Sequence, residues 1–158
     1  MKQAWFVVGL GSDRYGLPPS QVDEVVRAAR LLRIPEAPPA LLGALVLHDA
    51  SIPVLDLRAR LGVPARPLEP RQFFVIGSVA GKRAALVVDQ VEGFVELEMD
   101  AAPGGELARP PYATGVASDA AGCAVLLVSL DHVLSTREAS DITLAMTMAD
   151  RVATPSPS

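Results

Sequence analysis

The chain has 158 residues, half of them hydrophobic and a fifth charged, so a substantial core is available to one compact domain or two small subdomains. Its net charge of −4 is spread along the chain without a basic stripe, which excludes the phosphate-tracking surface of a nucleic-acid binder. The lone Cys123 excludes an internal disulfide, and neither a signal peptide nor an apolar span of ~20 residues is present, so a soluble cytoplasmic protein is expected.

Ala4 to Leu10 is a Val- and Phe-rich apolar run, and Gly11-Ser12-Asp13 turns it into a second strand from Arg14 to Leu17. Pro18 and Pro19 end that hairpin. Pro19 suits the first turn of a brief helix through Gln21 and Glu24, because its missing N–H would be unpaired there anyway. Val22, Val25 and Val26 lead into a strand expected to reach Ile34, and the prolines from Pro35 to Pro39 make a stiff surface loop. From Gly43 to Gly62 the pattern gives a strand, a polar turn at His48-Asp49-Ala50-Ser51, a strand from Ile52 to Leu55, and a short helix with Asp56 as its N-cap.

Val63 to Pro70 connects two halves. Phe73 to Val79 and Arg83 to Val88 form a hairpin around Ala80-Gly81-Lys82, and Val91 to Leu97 is a further strand. Asp100 to Pro111 reads as a long loop, and Tyr112 to Ser118 with Cys123 to Val128 as a last hairpin. From Leu130 the apolar spacing turns helical and continues to Met148. Residues 151–158 are expected to be a flexible tail on a single domain covering 1–150.

The two halves are related. A shift of 69 residues pairs Leu17 with Leu86, Val22 with Val91, Val25 with Phe94 and Val26 with Val95, and a slightly larger one pairs Asp56-Leu57 with Ser129-Leu130. Asp56 and Ser129 then fall at equivalent helix N-caps. The fold class expected is therefore mainly β, with two small five-stranded barrels intertwined over roughly 14–66 and 72–128, short helices and a C-terminal helix. Side-by-side barrels leave a groove and edge strands, which are natural docking surfaces.

No catalytic set emerges. His48-Asp49 with Asp56 and Asp89 lacks metal-ligand spacing to a second His or a Cys, so a turn histidine is the simpler reading. Cys123 lies in an apolar strand without an adjacent base and reads as a small buried hydrophobe. Gly9 to Gly16 has neither phosphate-loop spacing nor a Lys-Ser/Thr ending. Asp89 closes a strand and caps the next turn. The expectation is a non-enzyme with no metal and no cofactor.

Tyr15 to Val26, the Pro35 to Pro38 turn, Gly43 to Gly62, Ala84 to Val91 and the closing Val125 to Ser135 run together resemble a divergent CheW-like domain, the adaptor module of bacterial chemotaxis arrays. The resemblance covers Trp5 to Leu134 and implies two five-stranded barrels, no catalysis, and simultaneous binding to a chemoreceptor tip and to the regulatory domain of a CheA-like histidine kinase. Carried over by position, it implies a receptor-binding groove lined by Val22, Gly43, His48, Phe73, Val91 and Phe94. It also implies a kinase-binding surface that includes Pro19, Glu24 and Val25. Association with the membrane would come only through receptor arrays.

One departure stands out. The family reads Asn-Leu-Arg-Gly where this chain has Val46-Leu47-His48-Asp49. A mostly neutral histidine cannot replace the planar donor fork of an arginine. Aspartate takes the left-handed backbone less easily than glycine. Two readings follow: a coupling adaptor joining receptor and kinase, or a divergent module that keeps the fold and binds one partner without recruiting the kinase.

Overall fold

The computed structural model describes residues 2–99 and 112–153, with side chains through residue 150; the expected loop over 100–111 and the last five residues lie outside it. Ten strands and two helices follow in order: β1 (Lys2–Leu10), β2 (Asp13–Leu17), β3 (Val22–Arg27), β4 (Leu41–Leu47), β5 (Ala50–Leu55), α1 (Arg58–Leu61), β6 (Phe73–Val79), β7 (Lys82–Val88), β8 (Gln90–Met99), β9 (Ala113–Ser118), β10 (Ala124–Val128) and α2 (Thr136–Ala153). A 3₁₀ turn, Pro19–Gln21, joins β2 to β3.

The strands make two five-stranded sheets. The first closes into a barrel in the order β1-β2-β10-β9-β8, and the second runs β3-β6-β7-β5-β4. The orders are equivalent under the repeat, with β1 matching β6, β2 matching β7, and the final hairpins β4-β5 and β9-β10 matching each other. In both sheets a parallel pair joins the halves: Gly16 lies opposite Leu127, and Ala85 opposite Val54. The boundary between 66 and 72 does not separate the sheets. Residues 22–88 supply all of the second sheet, while the first takes β1 and β2 from the start of the chain and β8 to β10 from its end. The second sheet stays open between β3 and β4; the segment that follows β3 pairs with β4 through a single bridge, in which Leu32 and Ala44 exchange backbone hydrogen bonds of 2.8 and 3.0 Å.

Alternation along the strands sorts the apolar side chains into three clusters. Val7, Leu97, Ala117, Val125 and Leu127 fill the first barrel. Ile52, Val54, Phe74, Ile76, Ala85 and Val87 pack on one face of the second sheet. Their neighbours of opposite parity, such as Phe6, Val8, Val75, Leu86 and Val88, enter a third cluster that draws on both sheets and on α2. The middle of β6 and the second part of β7 are thus buried on both faces, one face in each cluster.

Several boundaries differ from the sequence expectation. The brief helix stops at Gln21, because the β-branched Val22, Val25 and Val26 pair with β6 instead. β3 ends at Arg27 rather than at Ile34, since its last partner, Phe73, is the first residue of β6. The turn at the tip of β4-β5 is only His48-Asp49, with Leu47 opposite Ala50. Asp56 lies one residue before the N-cap of α1, where its carboxylate accepts the Arg58 N–H at 3.0 Å. Cys123 is exposed in the β9-β10 loop, so it is not the buried strand residue expected.

The Ser129 helix does not form. Residues 130–134 make turns that bury Leu130, Val133 and Leu134, and the Ser129 hydroxyl pairs with His132 Nδ1 at 2.9 Å. Helix α2 begins at Thr136 behind a reciprocal cap: Ser135 Oγ accepts the Glu138 N–H at 3.1 Å, and Glu138 Oε1 accepts the Ser135 N–H at 2.9 Å. The Ser135 N–H, with the Arg60 guanidinium and the Ser135 hydroxyl, outweighs partial burial and holds the Glu138 carboxyl below its ordinary pKa. Ser135→Ala is expected to cost about 1 kcal/mol in chemical denaturation. It should also loosen amide protection selectively in the first turn of α2.

Candidate functional site

The positions anticipated for partner binding are spread over both sheets. Pro19 lies in the 3₁₀ turn, and Val22, Glu24 and Val25 on β3, which forms one edge of the second sheet. Val22, Val25, Phe73 and Val91 are partly buried, each packed against the central cluster. Phe73 faces Arg27 across the β3-β6 pair, and the guanidinium sits 5.0 Å from the ring centroid, a cation–π contact.

Phe94 is different. It is 66% exposed on β8, the largest exposure among the big apolar side chains of the described residues, and its ring meets Phe6 edge-on with centroids 5.2 Å apart. A bulge aims it outward: Val7 lies opposite Gly93 and Val8 opposite Val91, leaving Glu92 as the extra residue. Gly93 holds φ at +89°, a conformation that only glycine adopts easily. The extra residue is itself tied down, because Arg14 grips Glu92 with two hydrogen bonds of 2.7 and 2.8 Å and reaches Asp119 with a third of 2.7 Å. The aromatic therefore projects from a braced segment.

His48 and Glu24, assigned by the sequence to different surfaces, are neighbours. His48 Nε2 is 3.6 Å from Glu24 Oε1, within ion-pair reach when the imidazole is protonated, and Arg83 Nη2 approaches the same oxygen at 3.4 Å. Both tip residues occupy the left-handed region, His48 at φ +52° and Asp49 at +63°, as a two-residue type I′ hairpin requires. Asp49→Gly removes strain at one of them and is expected to raise stability by about 0.5–1 kcal/mol, seen as a higher Tm.

Gly43 does not line an open groove. It is buried in β4 beneath Leu31 and Leu32, and an added Cβ would stand 2.7 Å from the Leu32 carbonyl oxygen. A bulky residue at Gly43 therefore collides with the fold itself.

Asp89, read from the sequence as a strand end that caps the next turn, instead joins segments distant in the chain. Asp89 is 8% exposed and Arg58 4%, and they form a buried ion pair. Asp89 Oδ2 accepts the Gly11 N–H at 2.7 Å, Oδ1 accepts Gln72 Nε2 at 2.9 Å, and its own N–H donates to the Gly9 carbonyl at 2.8 Å. Burial pushes the Asp89 carboxyl up, but the Gly11 N–H, the Gln72 amide and the Arg58 guanidinium together outweigh it and hold it below the ordinary range. The group links the β1-β2 turn, α1, the approach to β6 and the end of β7. A cross-sheet brace of this kind is structural. Among the described residues no group of three or more His, Cys, Asp or Glu side chains could hold a metal ion.

Comparison with known proteins places this geometry in context. The CheW-like domain family matches residues 4–138. The chain is 28% identical over 118 residues to Protein FrzA of Myxococcus xanthus, covering 75% of this chain and 71% of that one. It is 30% identical over 109 residues to the Chemotaxis protein CheW of Rhizobium meliloti (strain 1021), covering 66% and 70%. Its fold resembles the crystal structure of the scaffolding protein TtCheW from Thermoanaerobacter tengcongensis, with a TM-score of 0.72, 25% identity, and coverage of 87% of this chain and 96% of that one.

Proposed function

Because this chain belongs to the CheW-like domain family, a family of non-catalytic scaffolds of chemotaxis signalling, we propose that it couples the cytoplasmic tip of a chemoreceptor to a CheA-like histidine kinase. The observation that carries the receptor half is Phe94. An aromatic left 66% exposed, backed by Phe6 and held by the Gly93 bulge, is the kind of anchor that seats an apolar ridge of a helical hairpin. Val22, Phe73 and Val91 would contribute the partly buried flanks of that groove. Pro19, Glu24 and Val25, at the edge of the second sheet, would face the kinase. In this reading the protein works in the cytoplasm and meets the membrane only through its receptor, consistent with the absence of a helix long and apolar enough to cross a bilayer among the described residues.

A second reading is favoured by one specific observation. The His48-Asp49 tip lacks the arginine fork of the family pattern and contacts Glu24 on the kinase-facing side. A module altered there would keep the receptor and lose the kinase.

Phe94→Asp tests the receptor half. Its exposure predicts a circular-dichroism spectrum and Tm close to wild type, with receptor-fragment affinity at least tenfold weaker, since charge is placed against an apolar ridge. Undiminished receptor binding by a folded Phe94→Asp protein would sink the groove assignment.

A further inference from the structure

A second apolar groove, which shares no residue with the surfaces assigned above, lies between the proline-rich loop, β4 and α2. It encloses about 720 Å³. Leu32, Ile34, Pro35 and Pro38 form one wall, and Leu144 and Met148 of α2 stand on the other. Three of these are large apolar side chains left open to solvent: Leu32 at 53%, Leu144 at 60% and Met148 at 57%. Exposed residues this large, gathered on one concave face and not scattered singly, mark an interaction surface. The remaining helix positions Ile142, Ala145, Met146 and Ala149 already pack toward the core, so Leu144 and Met148 are not needed to dock α2.

The groove's shape and charge narrow its occupant. The lining residues of α2 run from Asp141 to Asp150, roughly 14 Å of helix at about 1.5 Å per residue. Leu144 and Met148 are spaced i, i+4 and form one ridge, which is the feature that a second helix packs against. Methionine also suits a surface that must adapt to another helix. The rim carries three carboxylates, Glu36, Asp141 and Asp150, against one cation, Arg33. A second copy of this chain would bring the same acidic rim and a net charge of −4, so electrostatics disfavour self-association here.

We propose that this groove is a docking site for an amphipathic helix of another protein, with apolar anchors at i, i+3, i+4 and i+7 and Lys or Arg beside them. The helix lies along α2 and places its basic residues against Glu36 and Asp141. The site is independent of the receptor and kinase surfaces, so a partner bound here can be held at the same time as either.

The probe is a fluorescein-labelled model peptide of leucine and lysine with that anchor spacing, titrated with the full chain and followed by anisotropy. Its control replaces every lysine by glutamate. Saturable binding of the lysine peptide, at least tenfold weaker binding of the glutamate peptide, and at least tenfold loss on Leu144→Asp with Met148→Asp are the expected results. Both substituted side chains are exposed, so the variant should fold, which its circular dichroism would check. Phe94→Asp should bind the peptide as wild type does, which separates this site from the receptor groove. No saturable binding, or binding indifferent to the α2 substitutions, overturns the proposal. So does a dimer in sedimentation that the same substitutions dissolve, since the groove would then serve a second copy.

Discussion

Asp89→Asn is expected to destabilise the protein by about 3–5 kcal/mol, because it leaves the Arg58 guanidinium buried at 4% exposure without a counter-charge. For a chain of this size that lowers Tm by on the order of 10 °C. Adding Arg58→Met should recover part of the loss, since the stranded charge is then gone; losses that merely add would show that the pair is not the cause. The pH dependence follows from the direction of the shift. The folded carboxyl titrates below its unfolded value of about 3.9, so its contribution is fully present above that value and is lost as pH falls through the folded pKa. Wild type should therefore lose part of its advantage over Asp89→Asn as urea midpoints are followed from pH 5 toward pH 2. A constant gap across that range would contradict the assignment.

The second large effect is expected at Gly77. A Cβ there would lie 1.9 Å from the Gln21 carbonyl oxygen and 3.2 Å from the Val22 Cα, both backbone atoms that cannot rotate away. Gly77→Ala must push the 3₁₀ turn and the start of β3 off β6, at a cost of about 3 kcal/mol, the upper part of the range for overpacking. Pro19 and Glu24 ride on that segment, so on the proposed coupling role affinity for a CheA-like kinase should fall along with stability. Gly81→Ala is the contrast. No atom lies within 4 Å of its added Cβ, and only its φ of +79° is strained, so about 1 kcal/mol is expected and the partner surfaces should be untouched. Equal costs at the two glycines would show that crowding is not what governs Gly77.

The strands were legible where burial has a period of two. Phe74, Val75 and Ile76 send side chains alternately into two clusters, and a run apolar at every position is what such a strand must look like. The duplication was legible too, and the equivalent orders of the two sheets follow from it. Which copy pairs with which was not, because a shift of 69 residues identifies matching strands but carries no information on partner choice. Hence β1 and β2 close with β8 to β10 rather than with their own half.

Local capping chemistry misled at Ser129 and was available at Ser135, where Ser135-Thr136-Arg137-Glu138 spells the reciprocal box. Asp89 was out of reach for a different reason. Its partners Gly11, Arg58 and Gln72 lie 78, 31 and 17 residues away, and only the folded topology brings them together. Of the positions expected to bind a partner, Phe94 is exposed on β8, whereas Gly43 is covered by a neighbouring backbone that no sequence pattern announces. The contact of His48 with Glu24 likewise joins two surfaces that the sequence kept apart.

Coupling and single-partner binding remain the two readings proposed, and one measurement separates them. Purified protein, a chemoreceptor cytoplasmic fragment and a CheA-like kinase are combined, and kinase autophosphorylation is followed with each component omitted in turn. The coupling account predicts stimulation that requires all three components and disappears with Phe94→Asp. Receptor binding without any rise in kinase autophosphorylation would contradict it.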